Sequence, residues 1–276
     1  MRGFGFKSPL AKTTHTTASR AVQSNMVYLP RLTSSPQACA AARRINADCF
    51  GLHEVRLREH PYVLDINSLW HSSDADAWEH ARQRYWDFVQ PKNLELERTF
   101  DALDRSRLRS RLERFTAQEW YKFLHDEYFR WKYTALNRYA TTTLHLRKYE
   151  DTGAMAELDV LRRQILNLDV TDVQAGLKVA KKIRGLGTAG ASGLLSLIYP
   201  EHFATVDQFV VKALRGVRGL PESDALASMK PQNLRVTDGV LLISILGKKA
   251  HDNNRLFGTQ FWTPRKLDMV LWTYGR

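Results

Sequence analysis

The sequence predicts an all-α protein, on three observations. Apolar residues recur every three or four positions through most of the chain after residue 70, as on one face of a helix. Polar residues that cap helices stand before several of these runs. Turn-forming stretches, such as residues 151–153 and 219–221, separate them. With 43% hydrophobic residues in a chain of 276, a sizeable core can be buried.

The first 47 residues differ in composition from the rest. They contain seven Lys or Arg, no acid, and many Ser, Thr and Ala. This composition predicts a basic, disordered or extended tail, ahead of a helical domain over residues 48–276. It is also typical of a transit peptide, so organelle targeting by residues 1–25 stays open. Translation from Met26 is a further alternative.

The next stretch, residues 50–70, is ambiguous. Residues 55–58 alternate and residues 62–66 are apolar, which allows a short hairpin or an extended lead-in. A helix over 75–88 follows, capped by Asp74 and ended by Pro91. Another helix is predicted over 94–115. Thr116 and Glu119 then form a capping box before a long aromatic helix over 117–149.

The second half of the chain is predicted to form shorter helices. They are predicted over residues 154–167, 170–184, 189–199, 208–217 and 234–254. Pro200 ends the third of these, and Thr263 with Pro264 opens a last helix.

The aromatic helix supplies a candidate base pocket. Most of its aromatic residues should lie in the core, but aromatic side chains beside basic ones also suit stacking on an extruded nucleobase. The candidates for a pocket or a DNA-facing edge are Trp131, Lys132, Asn137 and Arg138.

Charge indicates the kind of partner. The chain has 41 Lys and Arg against 29 acids, a net charge of +12 and a pI of about 9.8. An anionic partner is expected, and DNA is the leading candidate. The protein is expected to be a monomer. The longest apolar runs, 193–199 and 239–247, are too short to cross a bilayer. Cys39 and Cys49 have no metal-like spacing and fit a reducing compartment, such as a bacterial cytoplasm or nucleoid.

Residues 178–218 form the stretch around which the chain is organised. Gly185-Leu186-Gly187 predicts a tight turn between two helices. The helix that follows exposes unpaired backbone N–H groups, which can bind a phosphate. Residues 176–218 carry seven Lys or Arg and two acids. The predicted DNA-binding residues are Lys181, Lys182, Arg184, Gly185, Leu186, Gly187, Thr188 and Ala189. A plain helical hairpin with a solvated basic face is the alternative.

The order Ile183-Arg184-Gly185-Leu186-Gly187, then Val206-Asp207, resembles the helix-hairpin-helix DNA glycosylase superfamily. The resemblance implies a two-lobed helical bundle with its hairpin and catalytic aspartate within residues 171–218. It implies that the hairpin binds DNA and that Asp207 is catalytic. It implies no metal or cofactor for the chemistry, although family hairpins often bind a monovalent cation through backbone carbonyls.

Three departures refine this expectation. Ala189 stands where bifunctional members carry a lysine nucleophile, Arg184 replaces the usual hairpin proline, and the four-cysteine cluster of some members is missing. The expected activity is therefore that of a monofunctional DNA N-glycosylase. It would release a damaged or modified base, including one in foreign or phage-modified DNA. The Asp207 carboxylate would stabilise the cationic sugar and orient or deprotonate water.

Two other functions remain open from the sequence. Thr205 and Gln208 have capping-box spacing, and Asp207 favours a first helical turn, so its role could be to start a helix. The chain would then be a non-catalytic helix-hairpin-helix DNA-binding protein. A helical scaffold that docks an acidic partner is the third hypothesis.

Overall fold

The computed structural model describes residues 63–102 and 105–276, and this part is all-helical, as predicted. The predicted tail and the first part of the ambiguous stretch lie outside it. The described helices are α1 (Ile66–Trp70), α2 (Ala75–Gln83), α3 (Tyr85–Phe88), α4 (Pro91–Asp101), α5 (Arg105–Glu113), α6 (Ala117–Lys122), a π-helical segment (Phe123–Tyr128), α7 (Phe129–Lys132), α8 (Leu136–Asp151), α9 (Met155–Leu166), α10 (Val173–Ala180), α11 (Thr188–Ile198), α12 (Gln208–Arg215), α13 (Ser223–Ser228), α14 (Val236–Phe257) and α15 (Pro264–Gly275).

Three of the predicted helix starts are confirmed by their caps. Asp74 Oδ1 accepts hydrogen bonds from the N–H groups of residues 76 (2.9 Å) and 77 (3.3 Å). Thr116 and Glu119 form the reciprocal capping box of α6. The Thr263 hydroxyl accepts from the Lys266 N–H at 3.2 Å. Each cap satisfies first-turn donors that have no partner within the helix.

Several predicted boundaries are wrong. Residues 63–65 are not helical, but a helix, α1, begins at Ile66. The helix predicted over 75–88 is divided at Arg84 into α2 and α3, and the one predicted over 94–115 is divided into α4 and α5. Pro91 is the first residue of α4 and does not merely end the helix before it. Proline suits this position because first-turn N–H groups have no helical acceptor. Helix α13 was not predicted.

The long aromatic helix predicted over residues 117–149 is interrupted twice. A π-helical segment follows α6, and the chain leaves helical geometry after α7, where Tyr133 has φ −110° and ψ 82°. The interruption lies against α11. The Tyr128 hydroxyl donates to the Gly190 carbonyl, and a Cβ at position 190 would lie 2.3 Å from the Tyr133 hydroxyl. Helix α11 therefore approaches this region at a residue that has no side chain.

Nearly all the buried apolar side chains of the described part form one continuous core. Its largest fully buried members are aromatic, among them Trp78, Trp120, Tyr128 and Tyr149. Helix α12 lies along α15. A Cβ at Gly275 would come within 2.0 Å of the Phe209 carbonyl oxygen, so this approach requires glycine. Across residues 63–102 and 105–276, no helix has the length and apolar character needed to cross a bilayer.

A candidate site where a groove and a pocket meet at Asp207

The glycine turn joins α10 to α11. Its two glycines differ in whether backbone conformation and packing require a residue without a side chain. Gly185 has φ +97°, and a Cβ there would lie 2.7 Å from the Thr142 carbonyl oxygen of α8. Folding therefore requires glycine at this position. Gly187 has φ −84° and ψ −175°, which any residue adopts. A Cβ there would meet nothing within 4 Å. Packing within the described chain gives no reason for glycine at 187.

Gly187 is the N-cap of α11, and no side chain caps this helix. Its first-turn N–H groups lie at a groove of about 500 Å³. The groove is lined by residues 187–190 of the hairpin and by residues 231–234. Its charged lining residues are Lys132, Arg138, Lys181 and Asp207. Open backbone donors with basic side chains beside them can bind a phosphate group.

Not every residue of the predicted DNA-binding set faces this groove with its side chain. Leu186 and Thr188 are buried, and the Thr188 hydroxyl donates to the Leu234 carbonyl at 2.7 Å. These two residues could offer only backbone groups. Lys181 is exposed and lines the groove, whereas Lys182 is exposed but is not part of the groove lining.

Arg184 is bound to the protein on the other side of the turn. Its guanidinium pairs with Glu157 (3.0 Å) and donates to the Lys148 carbonyl (3.0 Å) and the Thr152 hydroxyl (3.2 Å). It also lies 4.3 Å from the centre of the Tyr149 ring. These contacts tie the hairpin to α8 and α9. A DNA contact by Arg184 would require several of them to break.

The loop that carries Asp207 is held from two helices. The Val206 N–H donates to the Ser192 hydroxyl of α11 at 3.0 Å. The Thr205 N–H donates to Asp268 Oδ2 of α15 at 2.7 Å, and the Thr205 hydroxyl bonds that of Ser196. All these groups are buried. Because both backbone donors before Asp207 are engaged, the start of α12 is fixed relative to α11 and α15.

Asp207 caps α12 with one carboxylate oxygen, and its other oxygen faces Lys132. Oδ1 accepts from the N–H groups of Phe209 (3.0 Å) and Val210 (3.4 Å). Oδ2 lies 3.3 Å from the Lys132 ammonium nitrogen. The sequence allows a Thr205–Gln208 capping box, but Asp207 itself is the cap. The two side chains are 16% and 11% exposed, so the pair is largely withdrawn from solvent.

Lys132 reaches Asp207 from the last residue of α7. A Cβ at Gly193 would lie 3.2 Å from Lys132 Cδ, so the lysine stem packs across α11 where that helix lacks a side chain. The interruption of the aromatic helix after Lys132 and the small residue at 193 together direct the ammonium group to the carboxylate. Position 189 of the hairpin carries no amine, but this site obtains one from a different helix.

Behind the Asp207–Lys132 pair lies a cavity of about 190 Å³, here called the inner pocket. Asp207, Lys132 and Phe209 line both the inner pocket and the hairpin groove. The aromatic side chains that line the inner pocket are Tyr85, Phe88, Trp131, Phe209 and Trp272. Aromatic walls and a pocket of this size suit a planar ring.

A buried ionic network closes the inner pocket. Arg265 donates to Glu97 Oε1 at 2.9 Å and to Asp268 Oδ1, and Trp131 Nε1 donates to Glu97 Oε2. Burial raises the pKa of Asp268 to about 7, although the charge of Arg265 and the Thr205 N–H oppose this shift. The neighbouring carboxylates hold the pKa of Arg265 above its ordinary value despite its burial. The wall of the pocket is thus polar and internally hydrogen-bonded.

The structure brings together some of the predicted pocket residues and separates others. Trp131 and Lys132 line the inner pocket, and Arg138 lines the hairpin groove. Asn137 is exposed at the start of α8, where its Oδ1 accepts the Arg138 N–H at 2.8 Å. The sequence reasoning missed the pocket residues of α3, α4, α12 and α15. No local pattern indicates that these separate helices share one cavity.

The backbone of the turn is partly committed to internal bonds. The Ile183 carbonyl accepts from the Leu186 N–H at 3.0 Å, and the Lys182 carbonyl accepts from the Tyr149 hydroxyl at 3.4 Å. A monovalent cation at the hairpin would have to use other carbonyls, and its binding stays a prediction. Within the described chain, His, Cys, Asp and Glu side chains form no group of three that could hold a metal.

Comparison with family models, with curated proteins and with solved structures found no match to this chain.

Proposed function

We propose that this protein is a monofunctional DNA N-glycosylase with a helix-hairpin-helix in a two-lobed helical bundle. The observation that carries the proposal is the position of Asp207. Its carboxylate lies at the junction of a phosphate-binding type of groove and an aromatic-lined pocket. An enzyme that acts on an extruded nucleotide needs these three parts side by side.

The proposed arrangement of the substrate follows from this junction. The hairpin N–H groups and Lys181 bind the backbone phosphates, and the flipped base enters between the aromatic walls of the inner pocket. The sugar then lies between the two, beside Asp207 Oδ2. Positive charge develops on the sugar as the glycosidic bond breaks, and a fixed carboxylate in a largely dry site stabilises that charge. Asp207 also orients or deprotonates the attacking water.

Lys132 has a positioning role in this proposal. Its ammonium holds Oδ2 at the shared mouth of the groove and the pocket, 3.3 Å away. Because Oδ1 accepts hydrogen bonds from N–H groups of α12, both oxygens of the carboxylate are held and its orientation is fixed. This fixed orientation removes the cost of reorganising the carboxylate when the sugar becomes cationic.

An exposed apolar side chain beside the site supports base extrusion. Leu136 is 78% exposed at the first residue of α8. It lines a surface cavity together with Thr134, which also lines the inner pocket. Apolar side chains of this kind insert between base steps and occupy the space that a displaced base leaves.

A second candidate is a non-catalytic DNA-binding protein on the same hairpin. The observation that favours it is that both Asp207 oxygens have partners inside the protein, the α12 N–H groups and Lys132. In that case the carboxylate would serve only to start a helix and pair a lysine. The groove would still bind DNA.

Asp207→Asn separates the two candidates. Asparagine caps a helix about as well as aspartate, so the start of α12 is kept while the negative charge is removed. Labelled duplexes with damaged, deaminated, alkylated or hypermodified bases are incubated with the protein, and abasic sites are then revealed by alkali. We expect wild-type protein to release a base from at least one duplex, and Asp207→Asn to lose at least a hundred-fold in rate, roughly the effect of removing one transition-state group.

The matched control for this experiment is DNA binding by the same variant. Asp207→Asn should bind the duplex with affinity equal to or greater than that of wild type, since a negative charge leaves the groove. Base release that persists in Asp207→Asn would remove the proposed mechanism. Binding without release from any duplex by wild type would favour the non-catalytic candidate.

A further inference from the structure

A second large cavity lies beside α12 and shares Phe209 and Arg276 with the lining of the inner pocket. Its volume is about 730 Å³. Helix α12, residues 229–233, and the end of α15 line it. The charged residues of its lining are Lys212, Arg215, Lys230 and Arg276, and all four are exposed. We call it the basic cavity.

The basic cavity is continuous with the hairpin groove. Gln208, Phe209 and residues 231–233 line both. Asp207 carries the single negative charge among the lining residues of the two spaces, and the other charged residues there are basic. The combined surface therefore runs from the hairpin, past Asp207, to the end of α15 with one sign of charge on both sides of the carboxylate.

The four cations of the basic cavity have no acidic side chain as a partner, whereas several basic residues elsewhere do. On α14, Lys248 and Arg255 both pair with Asp252, and on α9, Arg163 pairs with Asp159. By contrast, none of the four basic-cavity residues forms an ion pair with an acidic side chain of the described chain. Lys212 donates instead to the Arg276 backbone oxygen at 2.9 Å, and Arg276 donates to the Phe88 carbonyl at 2.8 Å. A solvated surface would mix the two signs. A surface that keeps one sign together is suited to a polyanion.

The wall between the two spaces is held in place before any ligand binds. Arg215 donates to the carbonyl oxygens of Leu226 (3.0 Å), Ala227 (3.1 Å) and Met229 (2.8 Å), which ties the end of α13 to α12. At the other end of this segment, the Leu234 carbonyl accepts the Thr188 hydroxyl of the hairpin. The segment 229–234 is thus fixed to both the hairpin helix and the Asp207 helix.

We propose that the basic cavity binds the phosphodiester backbone of the same DNA strand that occupies the hairpin groove, on the opposite side of the target nucleotide. This proposal rests on the proposed function, because it assumes that the hairpin groove binds one part of the DNA strand. Phosphates on both sides of the extruded nucleotide would then be held, with Asp207 between them. Lys212 and Lys230 are the residues that contact phosphate, while Arg215 shapes the wall.

The test is the salt dependence of DNA binding by the full chain. Each phosphate contact contributes roughly 0.9 to the slope of log K against log salt concentration. Fluorescence anisotropy with a labelled duplex, between about 50 and 200 mM salt, compares wild type with the double variant Lys212→Gln, Lys230→Gln. We expect the slope to fall by roughly 2 and the affinity to drop at every salt concentration.

The matched control removes the same charge from another surface. Lys248→Gln with Arg255→Gln also removes two positive charges, from side chains that are 78% and 76% exposed on α14. Equal effects of the two double variants would overturn the proposal, since they would reflect net charge alone. Far-ultraviolet circular dichroism and the thermal midpoint verify that both variants are folded.

A series of duplexes shortened on one side or the other locates the contact. The Lys212 and Lys230 effect should disappear when the strand is shortened on one side of its centre and persist when it is shortened on the other. The proposal would be overturned if the loss of affinity in the double variant did not depend on duplex length. It would also be overturned if the two substitutions weakened the binding of inorganic phosphate to the same extent as that of DNA, because the cavity would then be an isolated anion site.

Failure of this proposal and of the proposed function can be told apart. If wild type binds DNA with the expected dependence on Lys212 and Lys230 but releases no base, the basic-cavity proposal stands and the glycosylase activity fails. If base is released but the double variant behaves like its control, the activity stands and the basic-cavity proposal fails. If wild type binds no DNA, both fail.

Discussion

The two glycines of the hairpin allow a prediction that separates folding from DNA binding. Gly185→Ala places a side chain at φ +97°, a strained region that costs roughly 1–3 kcal/mol. Its Cβ would also lie 2.7 Å from the Thr142 carbonyl oxygen. Each kcal/mol lowers the thermal midpoint of a domain of this size by about 2–4 °C. We therefore expect a loss of several degrees.

Gly187→Ala should leave the fold almost unchanged. The backbone is extended there, and the added methyl group meets no neighbour. Two small terms oppose each other. Alanine reduces the freedom of the unfolded chain, worth about 0.4–1 kcal/mol. It is also a poorer N-cap than glycine, by roughly 0.5–1.5 kcal/mol. The net change in the free energy of unfolding should stay within about 1 kcal/mol.

DNA binding should respond to Gly187→Ala far more than stability does. If a phosphate approaches the first N–H groups of α11, a methyl group at 187 stands in its path. Loss of one charge-assisted hydrogen bond costs roughly 1.5–3 kcal/mol, which raises Kd about ten- to a hundred-fold. Thermal unfolding and anisotropy on the same preparations measure the two effects. Unchanged affinity in a fully folded Gly187→Ala protein would refute the idea that this turn binds phosphate.

Three other predictions concern the side chains around the site. Lys132→Met should slow the proposed base release, because Oδ2 of Asp207 loses its partner. Borohydride should trap no adduct with wild type, and an adduct that disappears in Lys132→Met would contradict the proposed monofunctional mechanism. Arg184→Gln should lower the free energy of unfolding by roughly 1–2 kcal/mol in denaturant, through lost hydrogen bonds. It should leave the salt slope of DNA binding unchanged, whereas Lys181→Gln should reduce that slope by about 1. Burial raises the pKa of Asp268 to about 7 in the folded protein, against about 3.9 in the unfolded chain. Between these two values the folded state binds one more proton than the unfolded state. The free energy of unfolding should therefore fall as pH rises from about 4 through 7. The thermal midpoint of wild type should therefore fall more steeply between pH 5 and pH 8 than that of Asp268→Asn, and equal slopes in the two proteins would show that the carboxyl stays ionised.

Helix starts were predictable because their causes are local. A cap forms between residues two or three apart, so Asp74, Thr116 and Thr263 could be identified without knowledge of the rest of the chain. Helix interruptions were less predictable. The break after Lys132 contains neither proline nor glycine, and it coincides with the approach of α11 at Gly190 and Gly193. The helix against which it packs lies about 60 residues away in sequence.

The candidate site shows the same division. The sequence identified Asp207 as the start of a helix and the glycine pair as a hairpin, and the structure has both in those positions. It proposed Arg184 as a DNA contact, but a guanidinium binds whatever acceptors surround it, and here they belong to α8 and α9. It had no means of pairing Lys132 with Asp207, which are 75 residues apart.

By itself, the sequence determined the helical class, the positions of several caps, the excess of positive charge and the hairpin. All of these depend on composition or on residues within a few positions of one another. The tertiary structure decided that α3, α4, α7, α12 and α15 share one pocket and that Lys132 faces Asp207. It also decided that basic side chains without acidic partners continue past the carboxylate into a second cavity. These features depend on how helices pack, and packing is set by side-chain shape across long separations in the chain, which no local pattern records.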